Sequence, residues 1–155
     1  MSTLHFTRTT TATPEQLLAA LTDFGPGRQE IFPNSHDDDL VVHELGEHFA
    51  DVTEGSYGIW ERLRYGWSDP NRVVMTTTDS NTWGRNSGHT YSFTPLADGT
   101  TRVDVHVLRE GKNLQGKLLG SLAGLLGNRF LGRTIDRTIA AVEARNAKGS
   151  ASPRP

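Results

Sequence analysis

An α+β architecture, with seven strands, two short helices and one long C-terminal helix, is predicted by three features of the sequence. Residues 40–109 fall into short runs of alternating apolar and polar side chains separated by turn signals. From residue 114 the apolar spacing changes to three or four, with no proline as far as residue 145. Ahead of both, residues 4–32 read as a strand followed by two short helices. At 155 residues the chain has the size of one domain, able to hold a core without disulfides or a structural metal.

Taken in order, residues 4–11 are rich in threonine, with Leu4, Phe6 and Arg8 alternating against His5, Thr7 and Thr9, as in a strand. Thr13-Pro14-Glu15-Gln16 then opens a helix. Thr13 is a natural N-cap, Pro14 suits the first helical position, and Gln16 completes a capping box. Leu17, Leu18 and Leu21 form its apolar face, and Phe24-Gly25-Pro26-Gly27 stops it. Residues 28–32 predict a second short turn of helix, ended by Pro33.

Strands are expected at residues 40–45, 49–53, 58–67, 72–79, 88–94 and 102–109. The stretches between them, such as Ser68-Asp69-Pro70-Asn71 and Leu96-Ala97-Asp98-Gly99, are turn-like, so consecutive strands pair as a meander. In the final helix Leu118, Leu122, Leu125, Leu126, Leu131, Ile135, Ile139 and Val142 carry the helical period over roughly 45 Å at 1.5 Å per residue. At about 100° per residue, the apolar centre of its first half is offset by roughly 130° from that of its second, which places an expected break at Gly127-Asn128. Residues 146–155 are small and polar with two prolines, and are expected to be a disordered tail.

Composition narrows the functional classes. With no cysteine, thiol nucleophiles, Cys-based zinc sites and iron–sulfur clusters are excluded. Residues 1–111 carry 8 basic and 16 acidic side chains, and residues 112–155 carry 8 basic and 2 acidic. A net charge of −2 argues against a nucleic-acid binder, which needs a broad basic footprint. The basic C-terminal part is a solvated helix face or a contact for an acidic partner or anionic membrane surface. The N-terminus lacks the basic and apolar regions of a secretory signal, and no uncharged run approaches the roughly 18 residues of a membrane span, so a cytoplasmic location is expected.

Several motifs fail on spacing. His36-Asp37-Asp38-Asp39 with His43 has metal-ligand chemistry but no metal-site spacing, and reads as an acidic loop. His43-Glu44-Leu45-Gly46-Glu47-His48 has its histidines five apart rather than four, with Gly46 in a turn, so it is no zinc-protease helix. Gly-x-Ser-x-Gly, Walker and dinucleotide-binding fingerprints are absent from the sequence. No metal or cofactor is expected.

The run Ala12-Thr13-Pro14-Glu15-Gln16-Leu17-Leu18-Ala19-Ala20-Leu21-Thr22-Asp23-Phe24 resembles the opening of START-like, or Bet v 1-like, proteins. Pro95-Leu96-Ala97-Asp98-Gly99-Thr100-Thr101-Arg102-Val103 resembles their final hairpin, and Trp60-Glu61-Arg62-Leu63-Arg64-Tyr65-Gly66-Trp67 resembles one actinobacterial branch. The likeness covers residues 3–145 and extends to bacterial proteins labelled polyketide cyclase/dehydrase or lipid transport. It implies a helix-grip fold, a curved antiparallel sheet of seven strands around the long C-terminal helix, with residues 1–145 as a single ligand-binding domain around an apolar cavity that holds lipids, polyketides or hormones.

A sheet curved strongly around one helix encloses more volume than the helix fills, which is an independent reason to expect a cavity. Glycines 116, 120, 124 and 127 either let the sheet approach the helix or leave room for a ligand. On the strand 88–94, His89, Tyr91 and Phe93 share the face that points inward, because Thr90, Ser92 and Thr94 occupy the other. His89 and Tyr91 are then either core side chains satisfied by backbone, hydrogen-bonding partners for a ligand, or acid and base in an aldol-type cyclisation. Tyr65, Trp67 and Met75 are expected as cavity wall, as are Leu122 and Leu126 from the helix. Glu61, if inward, must be paired or protonated and becomes a third catalytic candidate, while Arg62 and Arg64 are expected on the solvated face.

The leading expectation is binding or carriage of a small hydrophobic molecule such as a lipid or polyketide-like compound. The alternatives are a cyclase or aromatase using His89 and Tyr91, and a docking module that meets a membrane or protein through the basic helix. Arg129, Arg133 and Arg137, four apart on that helix, are either a solvent stripe or part of such a contact. The oligomeric state is left open.

Overall fold

A computed structural model describes residues 2–151, without the side chains of residues 120, 123–125 and 149–151. The elements run β1 (Ser2–Thr10), α1 (Pro14–Leu21), α2 (Arg28–Ile31), a 3-10 turn (Asp37–Asp39), β2 (Val41–Leu45), β3 (Phe49–Ser56), β4 (Ile59–Gly66), β5 (Arg72–Ser80), β6 (Gly88–Pro95), β7 (Thr101–Arg109) and α3 (Leu114–Ala151). The seven strands form one antiparallel sheet in the order β1-β7-β6-β5-β4-β3-β2. A register shift at Arg62/Leu63 adds a residue to β5 there, a bulge of the kind that bends a sheet. The helix-grip fold expected from the sequence is the fold observed.

Local chemistry explains the early elements. Thr13 Oγ1 accepts from the Gln16 backbone N–H at 3.2 Å, and the Gln16 side chain accepts from the Thr13 N–H at 2.9 Å, closing the predicted capping box. Asp37 caps α2 from a distance, its two carboxylate oxygens accepting from the N–H groups of Gly27 at 2.8 Å and Gln29 at 2.9 Å. Those bonds hold its carboxyl below the usual range and give the acidic loop a structural role. The β3–β4 hairpin turns on Tyr57 and Gly58, both with positive φ, as a two-residue turn demands.

The inward faces of β3 to β7 and β1 meet α1 and the second half of α3 in one core that includes Val52, Leu63, Val73, Val105, Leu17 and Val142. Ion pairs lock that half of α3 to the rest. Arg8 Nε reaches Asp136 at 2.6 Å, and Arg145 reaches Asp23 at 3.0 Å.

Two expectations about α3 are corrected. The helix does not break at Gly127-Asn128, and it continues through Ala151 where the chain from residue 146 was expected to be disordered. The offset between its apolar halves reflects two different surroundings. Ile135, Ile139 and Val142 are buried in the core, whereas Leu118, Leu122 and Leu126 are exposed. An interior glycine costs a helix about 1 kcal/mol, too little to break a segment anchored at both ends. The Leu125 side chain and residues 152–155 lie outside the described residues.

Candidate functional site

A cavity of about 600 Å³ lies between the inner face of the sheet and α3. Leu63 and Met75 line its sheet wall beside Val105 and Val107, and Leu119 and Leu122 line it from the helix. Its mouth is rimmed by the hairpin residues Tyr57 and Trp60 and by Leu122, Leu126 and Phe130, all of them exposed. The helix spans this opening as a bridge. At its start the Gly116 N–H donates to Asn113 Oδ1 at 2.8 Å, and a Cβ on Gly116 would overlap the Thr82 carbonyl oxygen, so close approach requires glycine there. Gly127 instead lines the cavity, and the surroundings of residues 120 and 124 lie outside what the structure describes.

Two polar clusters stand in this wall. In the first, Arg28 is 1% exposed and makes a hydrogen-bonded pair with Glu54 at 2.9 Å. Its guanidinium also donates to the carbonyls of Leu21 at 2.7 Å and Asp23 at 2.9 Å, and to the Tyr65 hydroxyl at 3.0 Å. The rings of Phe24 and Phe32 each lie 4.5 Å from the guanidinium carbon. Tyr65 in turn donates to Glu54, as does Ser35 at 2.9 Å. Burial lowers the Arg28 pKa, but the Tyr65 and Glu54 partners outweigh it and the net shift is upward. Burial, then Glu54, pushes the Tyr65 phenol well above its usual value.

In the second cluster Glu61 accepts from Arg109 at 2.8 Å and from the Thr77 hydroxyl. The other terminal nitrogen of Arg109 lies 3.0 Å from His89 Nε2, and its guanidinium sits 4.9 Å from the centre of the Trp83 ring. A guanidinium only donates, so Nε2 is the acceptor and the neutral ring carries its proton on Nδ1. Burial, and then the Arg109 cation, holds the His89 pKa well below 6.5. His89 is therefore a neutral donor whose lone pair is already taken, which is a poor arrangement for a general base. Tyr91 lies in the electrostatic field of both clusters, and its pKa is pushed up to about 12, chiefly by burial.

Among solved structures the fold has many counterparts. The Zhui aromatase/cyclase of Streptomyces sp. R1128 matches with a TM-score of 0.72 and 14% identity, over 93% of this chain and 94% of that one. A protein of Thermus thermophilus matches with a TM-score of 0.70 and 17% identity, over 97% of this chain and 100% of the other. A START superfamily protein of Mycobacterium smegmatis matches with a TM-score of 0.66 and 15% identity, over 92% and 95% of the two chains. This is the START-like, Bet v 1-like fold. No model of a protein family matches the sequence, and no curated protein does.

Within the START-like fold, most of the residues singled out from the sequence come together. Tyr65, Met75, His89, Tyr91, Leu122 and Leu126 all line the cavity, and Glu61 is inward and paired. Two do not line it. Trp67 sits beyond the inner end, its ring 6.5 Å from that of Phe24, and Phe93 is buried in the solid core. The strands are longer than the cavity, so the shared inward face carries both residues past its limits. Arg62 pairs on the outer face with Asp51 at 2.8 Å, Arg64 lies over the Phe49 ring, and Arg129, Arg133 and Arg137 are exposed.

Sequence reasoning missed Arg28, Glu54, Arg109, Trp83 and Thr138. Period two would have found two of them. Glu54 continues the inward series Ala50, Val52, and Arg109 continues Val103, Val105, Val107. Arg28, four residues from both Phe24 and Phe32, carried an aromatic signal as well. Among the described residues no three His, Asp or Glu side chains group as metal ligands, and no helix is long and apolar enough to cross a membrane.

Proposed function

We propose that the protein binds and carries a small, mainly apolar molecule in the cavity between the sheet and α3, in the cytoplasm. The observation that carries this reading is the open volume of about 600 Å³ with a mostly apolar wall, within the range of small-molecule sites. The rim of Tyr57, Trp60, Leu126 and Phe130 gives such a molecule an apolar path in and out. Tyr65, Met75, His89, Tyr91, Leu122 and Leu126 are its expected contacts. The cyclase alternative, with His89 and Tyr91 as base and acid, is disfavoured by the engaged lone pair of His89 and by the high pKa of Tyr91.

The test is native mass spectrometry of the purified full chain, with extraction of any retained molecule, followed by titration with the neutral fluorophore N-phenyl-1-naphthylamine. Fluorescence enhancement at one probe per chain is expected, and Val107→Phe, which puts a ring into the cavity, is expected to weaken it by about tenfold. A clean apo mass together with no enhancement overturns the reading.

A further inference from the structure

Charge and unmet hydrogen-bonding capacity within the cavity together define the chemistry of what it takes. Glu54 and Glu61 are direct cross-strand partners on β3 and β4, both buried and both in the cavity wall. Like charges facing one another across a strand pair oppose folding unless each is compensated. Each carboxylate has its own arginine, Arg28 at 2.9 Å and Arg109 at 2.8 Å. The row therefore reads cation, carboxylate, carboxylate, cation, and neither guanidinium is left for a ligand anion. A ligand carboxylate entering this space would give up its hydration and find both guanidiniums already engaged.

Hydrogen-bonding capacity is the second observation. Thr138 on α3 is 2% exposed and lines the cavity, and its hydroxyl has no hydrogen-bond partner among the described residues. Tyr91 on β6 is 7% exposed and lines the same space, and its hydroxyl makes no hydrogen bond among the described residues. His89, with Nε2 occupied by Arg109, has Nδ1–H to offer. Buried polar groups are ordinarily satisfied, so the unpartnered Thr138 hydroxyl, with the Tyr91 hydroxyl and the His89 N–H available around the same cavity, is the complement of an oxygen atom on the ligand.

We propose that the ligand is an electrically neutral, mainly apolar molecule carrying at least one hydroxyl or carbonyl oxygen, and that the Glu54–Glu61 pair selects against carboxylates such as free fatty acids. The inference rests on the cavity being a ligand site and refines the chemistry of that site.

The experiment is displacement of N-phenyl-1-naphthylamine from the full chain at about pH 7.5, where a carboxylic acid is ionised. Three compounds of one chain length are compared: 2-dodecanone, 1-dodecanol and dodecanoate. The ketone and the alcohol are expected to bind about tenfold or more tightly than dodecanoate. Glu61→Gln keeps an oxygen for Thr77 and Arg109 but removes one carboxylate, so dodecanoate affinity is expected to rise about tenfold while the ketone changes by less than about threefold. Thr138→Val keeps the shape and deletes the unmatched hydroxyl. It is expected to weaken the ketone about threefold and leave the fluorophore unchanged, whereas a hydroxyl with only a structural role leaves both unchanged.

Dodecanoate binding as tightly as the ketone to the natural chain overturns the inference while leaving the cavity reading standing. So does a Glu61→Gln variant that folds and keeps the original ratio. Should that variant lose its circular dichroism signal, the natural-chain ratio and Thr138→Val decide. Failure of the fluorophore to bind to a chain whose mass is cleanly apo overturns the cavity reading, and this inference with it.

Discussion

Replacing Arg28 by methionine is the sharpest test of how the inner end of the cavity is held. The side chain of Arg28 is wholly buried, and its partner Glu54 is 9% exposed, so water cannot take over the role of either. Removing one member of a buried pair costs about 3–5 kcal/mol, because the other charge stays behind without its counterion. Glu54 keeps its bonds from Tyr65 and Ser35, which places the expected loss toward the lower part of that range. The carbonyls of Leu21 and Asp23 also lose their donor, and an unmet buried acceptor costs about 1–3 kcal/mol, in part offset if water reaches the end of α1. Arg28→Met is therefore expected to cost about 4 kcal/mol, against a total of about 5–15 kcal/mol for a typical domain.

Urea unfolding followed by tryptophan fluorescence reads this directly. With a slope of about 2 kcal/mol per molar, the midpoint falls by about 2 M. Glu54→Gln alone is expected to cost about 3 kcal/mol, and the double variant less than the sum by about 2 kcal/mol or more, since the two groups interact. If Arg28→Met leaves no folded baseline, Arg28→Lys serves, keeping the charge but losing the fork that reaches four acceptors at once. A loss below about 1 kcal/mol for Arg28→Met, or additive single variants, refutes the reasoning that the pair is desolvated and coupled.

Between about pH 7 and pH 5 the unfolded chain takes up a proton at His89 near 6.5 while the folded chain, with its depressed value, does not, so stability falls as pH falls. His89→Gln is expected to flatten that dependence by up to about 1.4 kcal/mol per pH unit, read from urea midpoints across the window. Gly116→Ala forces a Cβ against the Thr82 carbonyl and is expected to cost about 1–3 kcal/mol, with faster amide exchange in the first turns of α3. Thr13→Ala opens the capping box of α1 and is expected to cost about 1 kcal/mol by the same urea assay.

The fold was legible because its elements carry short-range signals. Alternation located six strands between residues 40 and 109, and Thr13 with Gln16 marked the start of α1. The cavity face was legible for the same reason, which is how His89 and Tyr91 were found. Its ends were not, because period two assigns a side chain to a face and says nothing of how far along the strand the enclosed space extends. Trp67 and Phe93 were lost to that limit. Arg28, Glu54 and Arg109 were lost to another, since an isolated charge reads as solvent-exposed until a partner distant in sequence is known. The pairs in question are separated by 26 and 48 residues.

The expected break in α3 shows how a wrong local inference can still carry the functional signal. Two apolar stripes at different angles on one helix require a bend only where both are buried against one surface. The helix is continuous because only the second stripe meets the core. The first stripe keeps Leu122 at 45% and Leu126 at 63% exposure, a state that stability alone does not favour, since burying one such side chain is worth about 1.5–3 kcal/mol. Closing the helix onto the sheet would recover that energy and eliminate the cavity. The close contact at Gly116 and the core packing from Ile135 onward hold the helix at both ends, so the span between them stays over an open space. A ligand that covered Leu122, Leu126 and Phe130 from inside the cavity would stabilise this span, because binding to the folded chain alone raises its stability.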